Sequence, residues 1–221
     1  MVPMMARLWI VLSCLLVVFV DCGSGDGSSF AADSGSDGGT CPSVSACGGT
    51  IMPGTYVVTS FCGHSDPEPY TPICQDATLS IVTADAQGTY TFSADGSYSN
   101  SLTVTPHAVL AVPASCMGPP GLQTCSDLEQ ALQTNSGSGS ATSTTVACSG
   151  TSGCTCTLVA TESVALAGSY SALGDTLTFQ PDNGSSPIED PYCVSGNQIT
   201  VALVPSNGAG VSQGTMVLTR Q

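Results

Sequence analysis

Ten cysteines between Cys41 and Cys193 constrain this chain more than any other feature: Cys41, Cys47, Cys62, Cys74, Cys116, Cys125, Cys148, Cys154, Cys156 and Cys193. An even number of cysteines behind an export signal predicts a disulfide framework, here of up to five bridges. Zinc is the rival use, because Cys148, Cys154 and Cys156 cluster. Structural zinc sites and thioredoxin-like redox sites both rely on C-x-x-C pairs, and none occurs. We therefore expect no metal site and no cofactor. Spacing leaves most of the connectivity open. The tight loop Met117-Gly118-Pro119-Pro120-Gly121 favours a Cys116–Cys125 bridge, and Cys148 is placed to close locally on Cys154 or Cys156.

The first 22 residues read as an export leader. Arg7 supplies the positive n-region, and Leu8 to Val20 form an apolar stretch of signal-peptide length, short for a membrane span. Cys22 follows at once and opens a Gly/Ser/Asp-rich run. This resembles the bacterial lipobox, with Phe19 and Asp21 at its preceding positions; the resemblance implies cleavage before Cys22 and lipidation there. Cys14 leaves an apolar stretch of only Leu8 to Leu12, too short to insert. The expected localisation is the cell envelope, with the protein lipid-anchored to an outer membrane or cell surface; soluble secretion is the alternative. Residues 23–40 have nothing to bury and read as a flexible tether, and 41–221 form the Cys-rich domain.

Charge removes several classes of partner. The net charge is −14, and the two basic residues are Arg7 and Arg220. Cleavage before Cys22 removes Arg7 and Asp21 together, so the remaining chain keeps −14. Such a polyanion repels phosphate backbones, which excludes nucleic acid, and repels anionic headgroups, so membrane contact falls to the lipid anchor. With 42% hydrophobic residues the domain nonetheless has enough apolar surface to fold.

Short β-branched and aromatic runs predict strands at Thr55–Thr59, Ala77–Thr83, Thr89–Ser93, Ser97–Thr105, Thr144–Ala147, Thr155–Val164, Ser169–Leu173, Thr176–Phe179, Gln198–Val204 and Thr215–Arg220. Asp95-Gly96 suggests a type I′ hairpin, Gly174-Asp175 splits two strands, and Gly196-Asn197 turns into the next. One short helix is expected after a capping box at Ser126-Asp127-Leu128-Glu129, with Ser136 to Ser140 as a loop. Eight to ten short strands predict a mostly β, antiparallel, disulfide-stapled barrel, with a β-sandwich as the alternative.

The two ends of the domain favour the barrel. Gly54-Thr55-Tyr56 opens the first strand and Arg220 ends the last, which resembles the lipocalin-like pattern of a G-x-W motif covered by a basic residue. That resemblance implies that Gly54, Tyr56 and Arg220 meet at the barrel closure, with Arg220 stacked on Tyr56. Across Cys47 to Gln221 the layout is also similar to a family of uncharacterised bacterial lipoproteins. The similarity is carried by Gly54-Thr55-Tyr56, Cys62, Thr91 to Tyr98, Cys116, Cys125, Cys154-Thr155-Cys156 and Tyr192 to Asn197. It implies a lipocalin-like barrel at the envelope and no particular activity.

No catalytic residue is nominated. His64 lies near Asp66 and Glu68, but two prolines in that loop work against three ligands closing on one ion. His107 follows Pro106 in a strand. G-x-S-x-G is absent; Glu129, Glu162, Glu189 and Asp190 are available for a glycosidase pair, but spacing in sequence fixes none, and Glu189-Asp190 reads as a solvated turn between prolines. The expected function is non-enzymatic: an envelope-anchored barrel that binds a small apolar ligand or a surface component. A purely structural or adhesive module is the first alternative and a secreted hydrolase the second. The sequence sets no oligomeric state.

Overall fold

The computed structural model describes residues 41–118, 122–136, 141–204 and 213–221. The export leader, Cys22 and the tether, residues 1–40, lie outside the described residues, as does 137–140 of the Ser/Gly loop. The strands are β1 (Gly54–His64), β2 (Glu68–Pro69), β3 (Thr78–Phe92), β4 (Ser97–Pro113), β5 (Ala141–Ser149), β6 (Gly153–Leu173), β7 (Thr176–Pro181), β8 (Ile188–Ser195), β9 (Gln198–Leu203) and β10 (Gln213–Arg220). Helix α1 (Cys125–Ser136) stands between β4 and β5, after a 3-10 turn at Ala114–Cys116.

The ten strands form one antiparallel sheet in the order β1-β10-β9-β8-β7-β6-β4-β3-β2, with β5 on β6. β1 also pairs with β3, so Tyr56 stands opposite Arg220 on one side and opposite Tyr90 on the other. Alternation of side chains then sorts each strand into a core side and a solvent side. Tyr56 and Val58, Tyr90 and Phe92, Tyr98 and Leu102, Ile199 and Val201, and Met216 and Leu218 all point inward. Outward positions such as Ser99, Ser101, Thr103, Ser163 and Ser169 are exposed hydroxyls, which keep a weakly charged surface wet.

Several elements run longer than the periodicity predicts. The Ala77–Thr83 and Thr89–Ser93 segments fuse into β3, because Ala84 to Gly88 pairs residue by residue with Leu102 to Pro106 of β4. Thr155–Val164 and Ser169–Leu173 likewise fuse into β6, which carries β5 along its first half and β7 along its second. Pairing partners impose extension on segments whose own propensity is weak.

Two turns differ from expectation. Glu189-Asp190 is no solvated turn: both residues lie in β8, opposite Thr178 and Leu177 of β7. The hairpin at Asp95-Gly96 is not type I′, which needs positive φ at both central residues. Only Gly96 is left-handed, at φ 82°. Gly96 N–H donates to Ser93 O at 3.2 Å and Ser93 N–H to Ser97 O at 2.9 Å, the pattern of a tight turn followed by a glycine bulge. Asp95 Oδ1 accepts from Ser97 N–H at 3.0 Å, so aspartate serves the turn from an ordinary backbone conformation.

The helix cap is also displaced. Thr124 Oγ1 accepts from Asp127 N–H at 3.1 Å, and the Asp127 carboxylate accepts from Thr124 N–H at 2.9 Å. The reciprocal box is therefore Thr124-Cys125-Ser126-Asp127, two residues before the expected one. This frees Glu129, whose carboxylate accepts from Cys148 N–H of β5 at 2.9 Å and fixes the helix to the sheet.

The apolar interior falls into two main parts. The larger lies against β1, β7, β8, β9, β10 and the adjoining ends of β3 and β4. The smaller is made where Leu128 and Leu132, one turn apart on α1, pack with Leu110, Val112 and Val146. All ten cysteines are paired: Cys41–Cys62, Cys47–Cys193, Cys74–Cys116, Cys125–Cys154 and Cys148–Cys156. The expected Cys116–Cys125 bridge is not formed. Cys116 is buried in the smaller core, where Cys74 also packs, while Cys125 at the start of α1 reaches Cys154 on β6. Cys148 closes on Cys156, directly opposite it across β5 and β6.

Candidate functional site

The inward positions of β1, β3, β4 and β7 to β10 bring together aromatic rings and a buried acid. Aromatic rings dominate one end. Tyr56 meets Phe92 edge-on at 5.5 Å between centroids, Tyr98 meets Phe179 at 4.9 Å, and Tyr90 lies 6.1 Å from both Phe92 and Phe179. Such offset and edge contacts add to simple burial.

Asp190 stands among these apolar residues. It is 3% exposed on the inward alternation of β8, two residues before buried Tyr192. Its Oδ1 accepts from Val204 N–H at 3.1 Å, just past the end of β9. Burial disfavours the ionised form and pushes its pKa up to about 6, against a small lowering from that hydrogen bond. Tyr90 is close enough for the Asp190 charge to help hold its phenol protonated, after burial as the main cause. Asn100 stands directly opposite Tyr90 on β4, where its side chain works against the rise, and Asn100 Oδ1 accepts from Leu166 N–H at 2.9 Å. A second inward acid, Glu162 of β6, is also buried, and burial raises its pKa.

Sequence reading missed Asp190 because the prolines around Glu189-Asp190 hid the strand. The usable signal was the period of two through Asp190, Tyr192 and Val194, which puts the carboxylate on the face of the tyrosine.

Gly54, Tyr56 and Arg220 lie together where β1 pairs with β10, with Tyr56 opposite Arg220. Arg220 Nη2 donates to Pro53 O at 2.9 Å. Its Nε lies 2.9 Å from where a Cβ on Gly54 would stand, so the guanidinium lies against the bare glycine backbone. Tyr56 turns its hydroxyl to Met52 O at 2.8 Å and feels Arg220 as a favourable charge that only partly offsets its desolvation. The preceding segment joins this end: Tyr192 donates its hydroxyl proton to Gly49 O at 2.6 Å, and Cys47 is bridged to Cys193.

The histidines lie elsewhere. His107 Nε2 is 3.9 Å from an exposed Asp85 carboxylate on the outer face, and His64 Nδ1 is 3.5 Å from Cys41 Sγ. Among the described residues no group of three or more His, Cys, Asp or Glu side chains is arranged to hold a metal ion. No helix among them is long and apolar enough to cross a membrane. No known protein family, curated protein or solved structure matches this chain.

Proposed function

We propose that this chain is an exported, lipid-anchored protein of the cell envelope whose sheet closes into a lipocalin-like barrel and takes a small apolar ligand inside it. The observation that carries the reading is the two-sided pairing of β1. With β10 on one side and β3 on the other, the path β1-β10-β9-β8-β7-β6-β4-β3 returns to its start, and its enclosed face is apolar. A ring of eight strands has an interior wide enough either for side chains alone or for one small ligand. Five disulfides fit an oxidising compartment such as the envelope. The anchor is Cys22, and kinship with the bacterial lipoproteins of similar layout belongs to this proposal.

A neutral apolar fluorophore such as N-phenyl-1-naphthylamine tests the reading. Saturable binding near one probe per chain supports it. A specific observation favours the competing structural module: the packed rings of Tyr56, Phe92, Tyr98 and Phe179 fill the end of the sheet near Arg220. Absence of saturable binding would establish that reading instead. The mass of the processed protein tests the anchor, with acylation at Cys22 expected and its loss in Cys22→Ser.

A further inference from the structure

A buried carboxylate ordinarily has a cation or several hydrogen bonds to hold it. Asp190 has neither. Its one hydrogen bond among the described residues is from Val204 N–H to Oδ1. Among those residues no side-chain nitrogen or oxygen is sealed from solvent without a partner, so Oδ2, which accepts no bond there, is an atom that water reaches. Asp190 is the third residue of β8, and Val204 directly follows β9, so the approach is from the end of the sheet where β10 begins.

The described residues supply no cation at that end. Arg220 stands at the far end of β10, seven residues after Gln213 and about 23 Å along the strand at 3.3 Å per residue, and donates to Pro53 O. His64 pairs with Gln213 at the near end, but Phe61 packs inward, so His64 lies on the outward alternation, against Cys41. Tyr90, on the inward alternation of β3 and within reach of the Asp190 charge, adds an aromatic ring and a phenol to the same interior.

We propose that the ligand of this interior carries a cationic nitrogen, and that Asp190 Oδ2 receives it beside Tyr90 while an apolar body occupies the space within the strands. This rests on the ligand-binding reading above and specifies its chemical class: a small primary or substituted amine with an apolar tail. A charge-assisted hydrogen bond in a low-dielectric site is stronger than a neutral one, and an aromatic ring beside the cation adds to it. A neutral hydroxyl would give Oδ2 a hydrogen bond but leave the carboxylate's charge uncompensated.

The test compares phenethylammonium, 2-phenylethanol and 3-phenylpropanoate as probes of the processed, disulfide-intact protein by calorimetry. About 0.5 M salt shortens the Debye length to roughly 4 Å and removes the general pull of the chain's negative charge on any cation. The expected order is ammonium over alcohol over carboxylate, with about tenfold or more between the first two, and with that preference falling below about twofold in Asp190→Asn. Equal affinity for ammonium and alcohol, or a preference that survives in Asp190→Asn, overturns the assignment to Asp190 while leaving an apolar site in place. If none of the three probes binds and the neutral naphthylamine also fails, the ligand-binding reading falls and takes this inference with it. Should Asp190→Asn not fold, the order of the three probes on the unaltered protein decides alone.

Discussion

Arg220 lies across Gly54, with its Nε 2.9 Å from the point a β-carbon on that glycine would occupy. Gly54 has φ 149°, a backbone conformation that side chains with a Cβ rarely adopt. The glycine of the G-x-Y motif is thus required twice, by its backbone and by the guanidinium above it. Gly54→Ala should destabilise the protein and displace Arg220 from Pro53 O. Arg220→Ala should cost about 0.5–1.5 kcal/mol, the size of one net hydrogen bond. In the double variant the costs should fall short of additive, because Gly54→Ala already removes the contact. Urea unfolding of the four proteins measures this, and strict additivity would show the two residues to be independent.

Asp190 should make the protein more stable in mild acid than at neutral pH. Its pKa is raised from 3.8 to about 6 on folding, so between those values the native state binds more protons than the unfolded chain. The stabilisation is complete below about pH 4 and lost as pH rises through about 6, an effect of about 2–3 kcal/mol. Glu162 is shifted in the same direction by burial and adds to the trend. Repulsion among the remaining carboxylates has the same sign, so the difference between the parent protein and Asp190→Asn isolates the residue. Unfolding free energies from pH 3.5 to 7.5 should show a shallower slope for Asp190→Asn and greater stability near pH 7.5. Identical slopes would mean that Asp190 is ionised in the fold at little cost.

Thr124 and Ser126 compete for the role of helix cap, and the geometry favours Thr124. Thr124→Ala should cost about 1 kcal/mol, whereas Ser126→Ala should be close to neutral. Asp127→Ala should be destabilising in the same helix, with its effect reduced once Thr124 is gone. Thermal unfolding of the single variants checks the assignment, and a larger loss from Ser126→Ala would move the cap.

Peptide mapping without reduction should recover Cys41–Cys62, Cys47–Cys193, Cys74–Cys116, Cys125–Cys154 and Cys148–Cys156. A peptide joining Cys116 to Cys125 would contradict the structure. In the chain-entropy limit, removing the Cys47–Cys193 bridge, separated by 146 residues, costs about 5 kcal/mol. Removing Cys148–Cys156, separated by 8 residues, costs about 2.5 kcal/mol. The other bridges shorten the effective loops, so the ranking of the paired Cys→Ala variants is the firmer expectation.

Local chemistry was enough to locate most strands. Thr55–Thr59, Ser97–Thr105, Gln198–Val204 and Thr215–Arg220 are written in β-branched and alternating residues, and each lies within or largely overlaps an observed strand. The even cysteine count likewise announced a disulfide framework, since paired thiols need only an oxidising compartment and a partner. What the order of residues could not carry is anything decided by which distant segments meet. Ala84 to Gly88 is extended because β4 supplies its neighbours and their hydrogen bonds, not because alanine, aspartate and glycine favour a strand. Cys116 pairs with Cys74 and not with nearby Cys125 because the smaller core brings the former together and α1 carries the latter to β6. Asp190 looked like a solvated acid between prolines, the usual place for one. It is buried because β7 pairs with its strand, the alternation of β8 turns it inward beside Tyr192, and Val204 comes round to donate to it, three relations that exist only once the sheet has assembled.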